Sequence, residues 1–283
     1  MKPPAFDYHD PATLDEVLAL LAEAGDEAAI IAGGQSLVPL MNLRLARPEV
    51  VIDPRRVGDL RSVESDATGM SIGAMVTAAT LERASGTVPG TAAALAHLAH
   101  PQIRNRTTVG GSIAHADPAA ELPALLAATD GTVTVASAGR GTRVVDAADF
   151  LQGPFWTARE PDEMVTSVRF GRFDGEITVA ELAPRPGDFA TVGVVVGLRV
   201  DNGQVGAARI VAFGVGGTPV RMSEVEASLV GSAADAAGFA AAGDAVRAGL
   251  DPTGDAHASA DYRRHVAGTL VTRALLELAG VAR

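Results

Sequence analysis

The N-terminal part of the chain alternates between one amphipathic helical pattern and short apolar runs. Apolar residues at positions 14, 17, 18 and 21 lie on one face of a helix. Thr13-Leu-Asp-Glu16 forms a capping box at the start of this helix, because the side chains of Thr13 and Glu16 can each satisfy a free backbone amide. The apolar run over 28–32 predicts a buried strand and leads directly into Gly33-Gly-Gln-Ser36. A second strand is predicted over 50–53.

Strand-like and helical patterns are mixed between residues 60 and 173. They predict strands over 70–75, 133–136, 143–145 and 164–170, the last of which closes this unit, and helices over 77–84, 89–100 and 121–128. Glycines interrupt the stretch over 107–113, which we therefore expect to contain a loop.

The last hundred residues contain a hairpin followed by helices. Strands over 194–200 and 206–213 flank Asp201-Asn-Gly203, and an Asn-Gly pair supplies the positive φ angles of a tight hairpin turn. Helices are predicted over 223–230, 235–249 and 260–279. Strands followed by helices, without strict alternation along the chain, predict an α+β fold.

The composition is that of an acidic globular protein without cysteine. The 283 residues are 47% hydrophobic and 20% charged, which is typical of a folded chain of one to three domains. The formal charge of −11 argues against a nucleic acid as partner. The absence of cysteine excludes disulfides, thiol catalysis and an iron–sulfur cluster held by this chain. Lys2 is the only lysine, which excludes a phosphate-binding lysine loop.

The hydropathy pattern contains no membrane-spanning segment. Its apolar runs are shorter than the roughly 18 residues that a transmembrane helix needs. The N-terminal residues lack the hydrophobic stretch of a secretory signal. We therefore expect a protein that acts in the cytoplasm.

Two glycine pairs offer the clearest candidate chemistry. Ala32-Gly-Gly-Gln-Ser36 follows a predicted strand, and Thr108-Val-Gly-Gly-Ser112 repeats the pattern of two glycines with flanking hydroxyls. Successive glycines can direct consecutive amides at one point, which makes an anion-binding nest. Two such loops suit one ligand with two phosphates, such as a dinucleotide. Neither matches the three spaced glycines of a Rossmann fingerprint.

The alternative interpretation is that both segments are ordinary tight turns, and for each segment alone it is the stronger one. Together the two segments favour the ligand-binding interpretation, since nothing else in the sequence requires glycine pairs at both places. On this view a β-carbon at Gly33 or Gly110 occupies space that a pyrophosphate needs. Gly214-Val-Gly-Gly217 ends a predicted strand and precedes a proline, which is typical of a structural turn.

These motifs, in this order, resemble the FAD-binding medium subunits of the molybdenum hydroxylases, which include carbon monoxide dehydrogenase and the flavin domain of xanthine dehydrogenase. The resemblance spans nearly the whole chain. It rests on both glycine segments and on Phe6-Asp-Tyr8, Pro11-Ala-Thr-Leu14, Met41, Arg44, Ala116-Asp-Pro-Ala-Ala-Glu-Leu-Pro123, Arg185-Pro-Gly-Asp-Phe-Ala190, Ala212-Phe-Gly-Val-Gly-Gly-Thr-Pro219, Arg221 and Asp261-Tyr-Arg263.

The resemblance implies a two-part FAD-binding domain of the vanillyl-alcohol-oxidase type over 1–173, with subdomains of about 1–56 and 57–173. A smaller α+β domain then covers 174–283. The first glycine segment cradles the pyrophosphate of FAD and the second binds on its other side. An acid beyond the second segment contacts the adenosine ribose, and a segment near Asp188 approaches the flavin ring. The implied cofactor-binding residues are Ala32, Gly33, Gly34, Gln35, Ser36, Leu37, Thr108, Val109, Gly110, Gly111, Ser112, Glu121 with Asp117 as the alternative acid, and Asp188.

The sequence departs from the family near the flavin ring. Some members carry a lysine a few residues before the aspartate, at a position close to Glu181 of this chain. The lysine contact to the flavin is therefore lost in this chain.

Several side chains invite other interpretations that the sequence disfavours. His97 and His100 share a helical face, yet the spacing lacks a zinc signature, and surface or interface histidines are the expected outcome. His115 is near enough to the second glycine segment to face a cofactor. Phe155 and Trp156 could pack beside a flavin ring, although such a cluster is more often core.

The sequence therefore predicts an FAD-binding electron-transfer subunit of a molybdenum hydroxylase. The resemblance implies two further subunits, a small one with two [2Fe-2S] clusters and a large one with the molybdenum cofactor, with the three-subunit unit doubled into a heterohexamer. Because this chain has no cysteine, electrons must reach its FAD from such a partner. The alternatives are an autonomous flavoprotein acting directly on a small substrate or NADH, and a cofactor-free assembly protein of the same fold.

Overall fold

The N-terminal unit is a small parallel sheet with two helices. The computed structural model describes residues 2–84 and 90–281. The strand order is β1-β3-β2, and the middle strand pairs in parallel with both neighbours. The capping box in front of α1 is present, and the strand predicted over 28–32 ends at Ile30. The elements are β1 Asp7–His9, α1 Leu14–Ala24, β2 Ala28–Ile30, α2 Leu37–Asn42 and β3 Val50–Ile52.

The second unit is an antiparallel sheet covered by short helices. Its strand order is β4-β5-β10-β6-β7, so β10, which was expected to close the unit, lies in the middle of the sheet. The strands are β4 Val63–Asp66, β5 Gly69–Gly73, β6 Thr132–Ser137, β7 Gly141–Asp146 and β10 Met164–Gly171, with a hairpin of β8 Leu151–Gly153 and β9 Trp156–Thr157. The helices are α3 Ala78–Ala84, α4 Thr91–His97, α5 Pro101–Arg104, α6 Val109–His115, α7 Glu121–Ala128 and α8 Ala147–Phe150.

Two predictions in this unit were wrong in detail. The helix predicted over 89–100 ends at His97, and Pro101 begins a separate short helix; Pro89 lies outside the described residues. The second glycine pair is not in a loop, because α6 begins at Val109. Thr108 caps this helix, with its Oγ1 accepting a hydrogen bond from the amide of Gly111 at 3.1 Å. The threonine cap therefore fixes a helical turn in spite of the two glycines.

The C-terminal unit pairs a four-stranded antiparallel sheet with three helices. The predicted hairpin is confirmed, and its turn residues Asn202 and Gly203 have φ values of 53° and 81°. The three predicted helices are confirmed, whereas the strand β11 was not predicted. The elements are β11 Glu176–Leu182, β12 Val192–Asp201, β13 Gln204–Phe213, β14 Val220–Arg221, α9 Ser223–Leu229, α10 Ala236–Gly249 and α11 Ala260–Leu278.

The cores of these units explain how they meet. One core contains both the central sheet and side chains of β12 and β13, including Val195, Val211 and Phe213. A second core lies between the C-terminal sheet and helices α9 to α11. The C-terminal sheet is therefore covered by helices on one face and by the second unit on the other, as in an α+β fold. No helix in the described part of the chain is long and apolar enough to cross a membrane.

A charged network also joins the second and C-terminal units. Asp130, just after α7, forms ion pairs with Arg209 and Arg221. Arg221 also reaches Glu226, whose Oε1 accepts a hydrogen bond from the amide of Ile210 at 2.9 Å. Glu226 is buried, so its carboxylate is compensated by both an arginine and a backbone donor.

We expect Glu226→Ala to destabilise the protein by about 2–4 kcal/mol, because the buried amide of Ile210 and the guanidinium of Arg221 lose their acceptor. The measurement is the free energy of unfolding in urea. Glu224→Ala, at an exposed position of the same helix, is the matched control and should change it little. Equal effects of the two variants would contradict this role for Glu226.

Candidate functional site

A cavity of about 1020 Å³ lies where the three units meet. Its wall includes the segment 28–37 of the first unit and the starts of α6 and α7 in the second. The C-terminal unit contributes 184–191, 214–216 and Arg263. The volume lies at the upper end of the range typical of ligand cavities and suits an extended molecule.

The first glycine segment presents backbone donors to this cavity. Gly34 has a φ of 76°, which turns the chain sharply between β2 and α2. Among the described residues no oxygen accepts a hydrogen bond from the amides of residues 33–37. The carbonyls of Gly33 and Gly34, in contrast, accept from the Gln35 side chain and the Val38 amide. Free amides on a turn that starts a helix are the donor set expected for an anion such as a pyrophosphate.

The second glycine pair differs, because protein oxygens already accept from its amides. Val109 donates to the carbonyl of Val76 at 2.9 Å, and Gly110 donates to that of Ala74 at 3.0 Å. Gly111 and Ser112 donate to the hydroxyl and the carbonyl of Thr108. The expectation of a second amide nest was therefore wrong. This segment offers the cavity a small-residue surface and the hydroxyl of Ser112.

The glycines themselves are required by contacts between backbones. A β-carbon on Gly33 would lie 2.2 Å from the carbonyl oxygen of Arg106, and one on Gly110 would lie 2.4 Å from the β-carbon of Ala74. On Gly111 it would lie 3.0 Å from the β-carbon of Ala32. Packing within the protein therefore explains the glycines at 33 and 110, which the sequence attributed to a phosphate.

The structure brings almost all of the predicted site residues together around one cavity. Val109 is the exception, since it is fully buried in the core and is not part of the cavity wall. The residues that do line the cavity are Ala32, Gly33, Gly34, Gln35, Ser36, Leu37, Thr108, Gly110, Gly111, Ser112, Asp117, Glu121 and Asp188. Gly214 and Gly216, which were interpreted as a turn only, also line it.

Glu121 is the most perturbed acid of the cavity wall. It begins α7 and is only 5% exposed. Burial raises the pKa of its carboxyl to about 7, and the negative charge of Glu181 adds to the shift. Asp117, the alternative acid, caps its own turn by accepting from the amide of Ala119 at 2.9 Å. Glu121 is therefore the acid with more capacity left for a ligand.

The far wall is held by two arginines. Arg185 pairs with Asp188 at 2.9 Å, so this predicted residue is already engaged by a cation. Arg263 is buried and donates to the carbonyls of Thr191 and Gly214, while it also pairs with Asp255. Arg263 was noted in the sequence only as part of a motif, and its contacts give it a structural role in this wall.

The histidines and aromatic residues singled out in the sequence lie in different environments. His115 lines the cavity, where burial lowers the pKa of its ring, and it lies 5.0 Å from the ring of Phe155. Phe155 and Trp156 are 59% and 66% exposed, so the expectation that they are core was wrong. His97 is bound to Glu181 and to a carbonyl. In residues 2–84 and 90–281 no group of three His, Asp or Glu side chains could hold a metal ion.

Comparisons with known proteins identify the family. The FAD binding domain in molybdopterin dehydrogenase matches residues 4–172, and the CO dehydrogenase flavoprotein C-terminal domain matches residues 178–278. This chain belongs to the family of FAD-binding medium subunits of molybdenum hydroxylases. The resemblance noted in the sequence, the α+β fold and FAD as cofactor are thereby confirmed.

Relatives of this medium subunit match over its whole length. It is 40% identical to the 6-hydroxypseudooxynicotine dehydrogenase complex subunit alpha of Paenarthrobacter nicotinovorans, over 100% of this chain and 97% of the relative. It is 36% identical to the carbon monoxide dehydrogenase medium chain of Hydrogenophaga pseudoflava, over 97% of each. A chain in the crystal structure of quinoline 2-oxidoreductase from Pseudomonas putida 86 superposes with a TM-score of 0.92, at 37% identity and 99% coverage of both.

The geometry of this medium subunit fits FAD. The amides of residues 33–37, which have no acceptor among the described residues, suit the two phosphates of the cofactor. Glu121 offers an acceptor on the same wall. The molybdenum cofactor and the iron–sulfur clusters belong to other subunits in these complexes.

We expect Gly33→Ala to destabilise the FAD-free protein by about 1–3 kcal/mol, because its β-carbon meets the backbone of Arg106. Thermal unfolding of the apoprotein measures this effect. Gly58→Ala is the matched control, since a β-carbon there meets nothing within 4 Å. If Gly33→Ala abolished FAD binding without lowering the unfolding temperature of the apoprotein, the glycine would serve the cofactor alone.

We expect Glu121→Gln to stabilise the FAD-free protein increasingly as the pH rises. Between the ordinary pKa of 4.5 and the raised value of about 7, the folded protein holds a proton that the unfolded chain has lost. Stability of the wild type therefore falls with rising pH in this window, by at most about 1.4 kcal/mol per pH unit. Urea unfolding at about pH 5 and about pH 8 measures the change. The exposed Glu277→Gln is the control, and a pH-independent difference for Glu121→Gln would contradict the buried proton.

Proposed function

We propose that this medium subunit holds FAD along the cavity and transfers electrons from the iron–sulfur clusters of a partner subunit to an external acceptor. The bound flavin supplies the redox chemistry, since it accepts electrons and releases them to another carrier. The chain's own residues bind, orient and shield the cofactor. The observation that carries the proposal is the row of free amides at residues 33–37, which opens onto a cavity shared by all three units.

The proposed contacts follow the order of the cavity wall. Residues 32–37 hold the pyrophosphate through backbone amides and the hydroxyl of Ser36. The start of α6 packs against the other side through Gly110, Gly111 and Ser112. The carboxylate of Glu121 accepts from hydroxyls of the ribose. The segment around Asp188, fixed by Arg185, approaches the flavin ring.

A division of labour between subunits follows from the lack of cysteine. This chain cannot ligate an iron–sulfur cluster. We infer a small subunit with two [2Fe-2S] clusters and a large subunit with the molybdenum cofactor, assembled as a heterohexamer in the cytoplasm. Relatives are named as subunits of complexes that act on substrates as different as a nicotine derivative and carbon monoxide. The substrate is therefore chosen in another subunit.

The family matches also suggest how the chain divides. We propose an FAD-binding domain over 1–173, with subdomains of about 1–56 and 57–173, and a C-terminal domain over 174–283. The three sheets described above support this division, since each sheet draws its strands from only one of these segments.

We expect a tagged copy of this chain, purified from its own host, to carry FAD together with iron, molybdenum and a cysteine-rich small subunit. Absorbance spectra, metal analysis and gel electrophoresis of the eluate measure this composition. The FAD-loaded single chain, expressed alone, should not oxidise the substrate of the complex.

Two outcomes would contradict this proposal in different ways. A yellow single chain that co-purifies with no metal-containing partner and oxidises a small organic substrate by itself would indicate an autonomous flavoprotein. A colourless chain that takes up no FAD in titration would indicate an assembly protein of the same fold.

A further inference from the structure

Three ionisable side chains lie on elements that pack together at the cavity wall, since α4 contacts both α7 and β11. Glu121 begins α7, His97 ends α4, and Glu181 lies near the end of β11. The Nδ1 of His97 lies 3.5 Å from the Oε1 of Glu181, and its Nε2 lies 3.1 Å from the carbonyl oxygen of Val179. The side chain of Glu181 is 5% exposed and that of His97 is 35% exposed, so the acid is buried and the imidazole reaches solvent.

One atom of this cluster lacks a partner. The Oε2 of Glu181 is buried and accepts no hydrogen bond from the described residues. Buried carboxylate oxygens are rarely left in this state, because desolvation without a donor is costly. Glu181 is also absent from the cavity wall, so it cannot replace the lysine that some relatives place near the flavin. Its charge acts on Glu121 instead.

We propose that Glu181 and His97 are positioning residues that set the protonation state of Glu121 and thereby make the loading of FAD depend on pH. This inference rests on the proposed contact between Glu121 and the cofactor. Below the pH at which Glu121 ionises, its carboxyl is neutral and accepts hydrogen bonds from hydroxyls more weakly than the carboxylate does, because hydrogen bonds to an ionised acceptor are the stronger ones. Tight loading then requires that this proton leave to solvent, so the affinity for FAD falls as the pH falls.

The charges that face Glu121 fix the direction of each effect. Glu181 on β11 and Asp117 in the turn before α7 disfavour its ionised form, whereas His97 on α4 favours it. The hydrogen bond to Glu181 in turn raises the pKa of His97, so this acid also favours the imidazolium form of His97. The charge of Glu181 acts on Glu121 more strongly than that of His97, so removing it makes Glu121 ionise at lower pH.

The test is a titration of the FAD-free full chain with FAD between about pH 6 and about pH 8.5, followed by flavin fluorescence. We expect the wild-type affinity to rise about tenfold across a midpoint near pH 7. Glu121→Gln should bind weakly with a flat profile. Glu181→Gln should move the midpoint of this pH dependence to lower pH. Glu181→Asp retains the charge, so its midpoint should lie closer to that of the wild type. Glu176→Gln, exposed on the same strand, is the control.

Calorimetry in buffers of different ionisation enthalpy gives a second readout that needs no variant. The wild type should release protons when it binds FAD near pH 7. A pH-independent affinity, proton uptake on binding, or an unchanged midpoint in folded Glu181→Gln would overturn the inference while the proposed FAD site stands. A chain that takes up no FAD at any pH would overturn the proposed function and this inference together.

Discussion

The proposed cofactor cavity depends on two glycines whose lack of a side chain lets neighbouring parts of the chain approach closely. Gly33 lies against the carbonyl of Arg106, and Gly110 lies against Ala74, at distances that leave no room for a β-carbon. The first contact joins the turn after β2 to the unit of the central antiparallel sheet, and the second holds α6 against the residue that follows β5. The amides of the turn after β2 have no acceptor among the described residues. Close packing at these two glycines thus brings together the two parts of the FAD-binding region, with the proposed anion site between them.

The charge of the cavity is unusual for a site that holds a phosphate-bearing ligand. The arginines on its wall are engaged with the protein itself: Arg263 with two carbonyls and Asp255, and Arg185 with Asp188. Arg159, which also lines the cavity, donates to three backbone carbonyls. The only lysine of the chain is Lys2. At the proposed site, recognition of the pyrophosphate is therefore left to amides and hydroxyls. Such donors have a fixed orientation and no net charge, which suits a cofactor that stays bound in one orientation.

Local sequence signals predicted most of the elements and missed what tertiary contacts decide. The capping box at Thr13 and the Asn202-Gly203 turn are local, and both were confirmed. The two glycine segments look alike in sequence, yet only the first keeps free amides. Amides of the second donate to the carbonyls of Ala74 and Val76, which follow β5 and are distant in sequence. Periodicity likewise could not show that β10 lies in the middle of its sheet. The pair of His97 and Glu181 joins residues that are far apart in sequence, so no spacing could reveal it.

The position of Glu121 is best understood as a compromise between stability and binding. A carboxyl whose pKa is raised by burial destabilises the fold whenever it ionises, so the folded apoprotein gains nothing from its charge above about pH 7. Glutamine has nearly the same shape without this cost. The unpartnered oxygen of Glu181 adds a second unfavourable feature at the same place. Both features lie at or directly behind the wall that faces the cofactor, where an acceptor of adjustable charge has a use that a neutral amide lacks.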